Sequence, residues 1–181
     1  MFPECLAFPK TIIHTCANMN DTYSLWKYLE TTGIVKESCV PYQSWTAFNY
    51  PCPESCVNKN EPWMKFSCAK GSVSHITSGR VEDIMREVTK NGPVMAQMNV
   101  YLDFIYHKKG VYEHKSGQYL GRHAVRCYGY GSENGVNYWQ CANTWSYNWG
   151  EQGIFKIKMG ECGIEADIWG CAPDKPRLSL E

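Results

Sequence analysis

Cysteine placement constrains this chain more than any other feature. Six of its ten cysteines (Cys5, Cys16, Cys39, Cys52, Cys56 and Cys68) fall within the first 68 residues, where the sequence is rich in turn formers and poor in periodic pattern. Dense cysteine in irregular sequence predicts disulfides and an oxidising compartment. The sequon Asn20-Asp21-Thr22 fits the same setting. Cys127 and Cys141 sit instead inside apolar, strand-like runs and are expected to be small buried thiols. A secreted-type pattern leads one to expect a leader, yet the first 20 residues show no basic region followed by a long apolar stretch, so no signal peptide is read in this chain. With 181 residues and 44% hydrophobic content, the chain can bury a real core as one domain or two small lobes. Eighteen basic residues balance eighteen acidic ones, which argues against nucleic acid as a partner. No apolar run approaches the roughly 20 residues that span a bilayer.

The period changes along the chain. After an irregular start, Thr22, Leu25, Trp26 and Leu29 recur at helical spacing behind an Asn20 or Asp21 cap, until Gly33 supplies a stop. Residues 38–72 mix prolines, aromatics and four cysteines among polar residues, the composition of a disulfide-held surface loop. Val81, Ile84, Met85 and Val88 mark a second helix, with Ser78 as its cap and Asn91-Gly92-Pro93 as its end. Val94, Ala96, Met98 and Val100 then alternate as a strand with one buried face. The run 123–130 reads as another strand, Asn134-Gly135 as a hairpin turn, and 138–142 and 154–157 as two more strands. The class is therefore α+β, with helix and loops in about 1–75, a mainly antiparallel, barrel-like sheet in about 76–174 and a tail over 175–181.

His123 opens one of these strands and Asn143 lies just past the strand that follows it through the hairpin, so the two can meet at one sheet end. A neutral amide oxygen that holds one imidazole nitrogen leaves the other free to serve a nucleophile. Taken alone, a His and an Asn at this spacing are more often ordinary satisfied polar residues.

Around them stand the segments Asn91-Gly92-Pro93-Val94, Val100-Tyr101-Leu102-Asp103-Phe104, Gly110-Val111-Tyr112, Gly121-Arg122-His123-Ala124-Val125, Gly129-Tyr130-Gly131, Glu133-Asn134-Gly135, Tyr138-Trp139, Ala142-Asn143-Thr144-Trp145, Trp149-Gly150 and Cys162-Gly163-Ile164-Glu165. Together these segments resemble the cathepsin B branch of the papain-like cysteine peptidases. Gly33-Ile34-Val35 and Cys39-Val40-Pro41-Tyr42 extend the likeness upstream. The resemblance implies a papain-like fold, with part of the helical left lobe and a β-barrel-like right lobe. It implies His123 as catalytic imidazole, Asn143 as its orienting amide, Trp145 as the indole shielding their hydrogen bond, and Trp149 as a second indole on the leaving-group side. It places Asp167 at the base of the pocket for the second substrate residue, where a basic side chain would be favoured. Cys52 and Cys56, with Cys68 and His75, also suit a zinc site, but the resemblance favours disulfides, with Cys39 to Cys68 the expected pair. No metal or cofactor is expected.

The chain departs from that family in several places. The nucleophile segment, Gln…Cys-Gly-Ser-Cys-Trp, has no counterpart among these residues, and Cys5-Leu6-Ala7-Phe8 is only a faint echo of its end, interrupted by Pro9. Asn18-Met19-Asn20-Asp21 stands where paired glycines usually bind substrate backbone, Arg122 stands where glycine is usual, and the stretch between Tyr42 and Cys68 lacks paired histidines. The expectation is a pseudo-peptidase that serves as a binding or structural module. The alternative is an active cysteine endopeptidase completed by a separate light chain or an amino-terminal segment outside this sequence. Either way, an apolar lobe interface needs a cover, a light chain or another protein partner. The family suggests a lysosome-like or secreted location.

Overall fold

In the computed structural model, residues 21–41, 53–175 and 177–178 are described. Cys5, Cys16, the sequence around Asn18 to Asn20, and Cys52 lie outside them. The described residues before Ser74, together with those after Ala172, form one compact unit; Ser74 to Ala172 form another.

The second unit is organised by β3 (Val94–Tyr101), whose predicted alternation is realised with Val94, Ala96, Met98 and Val100 each at most 5% exposed. Eight of its residues pair antiparallel with β5 (Tyr119–Glu133), and its other side pairs with β8 (Ile168–Gly170). With β2 (Ser74–Ile76), β4 (Val111–Tyr112), β6 (Val136–Ala142) and β7 (Ile154–Lys158), these make a seven-stranded sheet in the order β2-β8-β3-β5-β6-β7-β4. The β4–β7 pairing is parallel. Among the described residues β2 and β4 remain at opposite edges, so the sheet, mainly antiparallel as expected, is mixed and unclosed. Helix α2 (Val81–Asn91) lays Ile84 and Val88 onto this sheet. Behind it, Phe104 from α3 (Leu102–Ile105), Tyr112, Trp139, Phe155, Ile157 and Ile164 fill the core.

Two local details differ from expectation. Ser78 does not cap α2: the N-cap is Arg80, whose own N–H donates to the Ser78 hydroxyl at 3.3 Å, while Glu82 and Asp83 place negative charge at the helix start. Cys127 and Cys141 are not free thiols. They are direct cross-strand partners in the β5–β6 ladder, 4.1 Å apart at Cα, and are joined by a disulfide. The alternation that reads as burial also turns both side chains toward each other. The hairpin between them is as predicted, with Asn134 and Gly135 both at positive φ (52° and 80°), as a tight two-residue turn requires.

In the first unit, α1 (Thr22–Thr31) starts where the sequence places it, with the Asp21 carboxylate accepting from Ser24 N at 3.1 Å and Leu25, Trp26 and Leu29 buried. The following stretch is not purely surface loop: Ile34 bridges Phe66, and β1 (Met64–Lys65) pairs antiparallel with β9 (Arg177–Leu178), so residues 177–178 are strand within the expected tail. Cys39 is bonded to Cys56, not to Cys68. Val57 N donates to Cys39 O at 2.8 Å, which brings residues 39 and 56 side by side, with Cα atoms 4.4 Å apart. Cys68 and Cys171 are each engaged in a disulfide as well. No helix among the described residues is long and apolar enough to cross a membrane.

Candidate active site

β5 carries His123 opposite Met98 of β3, so its side chain shares the face that Val94, Ala96 and Met98 present to the core. β6 ends at Ala142, and the next residue, Asn143, is held by its N–H donating to Gly153 O at 2.8 Å. These two anchors bring His123 Nε2 within 2.8 Å of Asn143 Oδ1.

The proton on this bond can be assigned from its surroundings. Thr144 N donates to the same Oδ1 at 2.7 Å, which fixes that atom as the amide oxygen. An oxygen only accepts here, so His123 must donate from Nε2 and Nδ1 is left as the basic nitrogen. Asn143 Nδ2 is buried and has no hydrogen-bond partner among the described residues. Trp145 stacks on the imidazole with ring centroids 5.1 Å apart. Trp149 is edge-on to Trp145 at 5.2 Å, and its indole N–H donates to Ile105 O at 2.9 Å. This indole is only 8% exposed and packs against Phe104 and Phe155, so it ties the loop after β6 to the core.

Arg122 and His123 are adjacent in β5 and point to opposite faces. The Arg122 guanidinium goes to Asp167 Oδ2 at 3.5 Å, away from the imidazole. Asp167 has two closer partners, His75 Nε2 at 2.8 Å and Trp169 Nε1 at 2.9 Å, both on Oδ1. His75 lies flat on Trp169, with centroids 3.8 Å apart. The carboxylate expected to await a basic substrate side chain is thus already held by a cation and two ring N–H groups. Sequence reading missed His75 in this role, treating it only as a possible zinc ligand. Its place on the edge strand β2, opposite Trp169 of β8, was not legible because neither three-residue strand carries a period.

Comparison with known proteins identifies the family of this chain. The sequence profile of the family described as "Papain family cysteine protease" matches residues 8–171. The chain is 37% identical over 166 residues to "Cathepsin B-like protease 1" of Arabidopsis thaliana, covering 84% of this chain and 44% of that protein. It is 41% identical over 156 residues to "Cathepsin B-like cysteine proteinase 4" of Caenorhabditis elegans, covering 83% and 45%. Its fold matches the solved structure of "proCathepsin B S9 from Trypanosoma congolense" with a TM-score of 0.71 at 34% identity, covering 84% of this chain and 53% of that one. The chain thus spans about half the length of these relatives. It belongs to the papain family of cysteine proteases, as a cathepsin B-like peptidase domain of α+β, papain-like fold.

Proposed function

We propose that this domain supplies the base and its orienter, His123 and Asn143, to a cysteine endopeptidase site whose thiolate comes from a segment or chain outside these 181 residues. The observation that carries the reading is the 2.8 Å bond from His123 Nε2 to Asn143 Oδ1 under the Trp145 ring, which leaves Nδ1 as the free base. In that site Nδ1 takes the thiol proton, and the thiolate attacks the peptide carbonyl. The imidazolium then gives the proton to the departing amine, leaving a thioester. Water, deprotonated by the same nitrogen, releases the acid and restores the thiol. Asn143 keeps the ring in register through both transfers, and Trp145 keeps bulk water off the bond that does so. Trp149 lines the leaving-group side.

The second reading is a pseudo-peptidase, a retained fold that binds a partner and does not hydrolyse. Asp167 favours it, because a substrate cation would have to displace Arg122 or His75 from that carboxylate.

Natively purified protein treated with an electrophilic peptide probe, then analysed by mass spectrometry of every chain present, separates the two. The peptidase reading expects label on a cysteine outside residues 1–181, lost in His123→Ala. Absence of label at any cysteine, with a folded protein and a partner present, overturns it in favour of the pseudo-peptidase.

A further inference from the structure

The two strands that present His123 and Asn143 stop supporting each other just before the site. The last rung of the β5–β6 ladder is Arg126 opposite Ala142. Among the described residues, the backbone of His123 beyond it is paired only with β3, and the Asn143 N–H only with Gly153 O. Among the described residues, the remaining links between the two are the His123–Asn143 hydrogen bond and the Trp145 stack on the imidazole. One rung further in, the ladder is irregular: its register shifts between Cys127 and Gly129. A bulge of this kind is where a strand can slip, and a slip of β6 by one residue would carry Asn143 out of register with His123, which its pairing with Met98 of β3 holds in place.

The Cys127–Cys141 disulfide sits at this point. Both cysteines are at most 2% exposed, they face each other across the ladder, and Cys141 lies two residues before Asn143, which directly follows β6. We propose that this buried disulfide is a positioning pair for the active site: it pins β5 to β6 at the bulge, so that the His123 imidazole and the Asn143 amide meet in one register. The proposal rests on the reading of His123 and Asn143 as base and orienter. It assigns the cysteines no contact with substrate. Their effect reaches the chemistry only through the placement of two other side chains, where a shift of about 1 Å can cost on the order of a hundredfold in rate.

The test uses the intact protein with 15N-labelled histidine and reads His123 by NMR, a signal that general destabilisation does not move while the protein stays folded. The parent is expected to show a slowly exchanging Nε2 proton that Asn143→Ala abolishes. If the parent shows none, the base-and-orienter reading itself fails. Given that signal, Cys127→Ala with Cys141→Ala is expected to broaden it and to populate the Nδ1-protonated tautomer. The better-filled pair Cys127→Val with Cys141→Ala gives the same readout should the first variant not fold. Removing a different buried disulfide, by Cys39→Ala with Cys56→Ala, is expected to leave the signal as in the parent. An unchanged Nε2 proton in a folded variant lacking the 127–141 bridge overturns the proposal, and so does equal broadening on loss of the 39–56 bridge.

Discussion

The indole N–H of Trp139 donates to Oε1 of Glu165 at 2.7 Å, inside a core where the Trp is 1% exposed and the Glu 7%. The same oxygen accepts from Gly160 N at 2.8 Å, so one carboxylate serves both the centre of β6 and the turn after β7. Glu165→Ala leaves the Trp139 donor buried without a partner and should cost about 2 to 3 kcal/mol. Glu165→Gln keeps an accepting oxygen and should cost about half as much. Urea unfolding followed by tryptophan fluorescence gives both values.

Asp103 of α3 ties that short helix to the loop before β5. Burial pulls its carboxyl upward, but the N–H of Lys115 (2.8 Å), the Tyr112 hydroxyl (2.7 Å), the N–H of Ser116 (3.2 Å) and the His114 ring outweigh this and hold it well below the usual carboxylate range. A carboxyl lowered in the folded state stabilises the fold above the unfolded-state value near 4, and that contribution fades as the pH falls toward the folded-state value. Asp103→Asn should therefore cost about 1 to 2 kcal/mol near pH 6 and progressively less below about pH 4. Unfolding midpoints of parent and variant across that range check the convergence.

Cys162 is the free thiol among the described residues. Burial, with the charge of Glu161 adding to it, pushes its pKa up to about 11 from the ordinary 9.0. At neutral pH the thiolate is then about a hundredfold scarcer than for an ordinary exposed cysteine, and alkylation should slow in proportion. Iodoacetamide labelling at pH 7.5, read by mass spectrometry before and after denaturation, should mark Cys162 only in the unfolded protein.

Gly150 follows Trp149 with φ at 59°, and a Cβ there would lie 2.6 Å from the Ile154 carbonyl oxygen. Both the backbone conformation and the contact forbid a side chain, so Gly150→Ala should destabilise by about 1 to 3 kcal/mol. Because this turn anchors the Trp149 indole, the variant should also shift tryptophan fluorescence before unfolding. An unchanged spectrum and midpoint would show that the turn relaxes freely.

Long period-two runs made most of the second unit legible. Val94 to Val100 and the strands on either side of Asn134-Gly135 lie where alternation and turn chemistry place them, and His123 and Asn143 meet at 2.8 Å as strand order implies. What sequence reading missed depends on pairing rather than period. Apolar surroundings at Cys127 and Cys141 say that both are buried, but only the register says that they face each other. Cys39 finds Cys56 because a backbone hydrogen bond sets them adjacent, and no spacing rule distinguishes that from pairing with Cys68. Nor were the two edge strands β2 and β4 legible, since strands of three and two residues are too short to carry a pattern.

The β5–β6 hairpin has its chemistry at one end and its turn at the other. Asn134 and Gly135 are exposed, and open space surrounds the position of a Cβ at Gly135. About eight residues of strand, on the order of 25 Å, separate that tip from Asn143. For anyone tagging this protein, the tip is the natural attachment point: a fluorophore or an affinity peptide grafted there would sit in solvent, at the far end of the strands from His123.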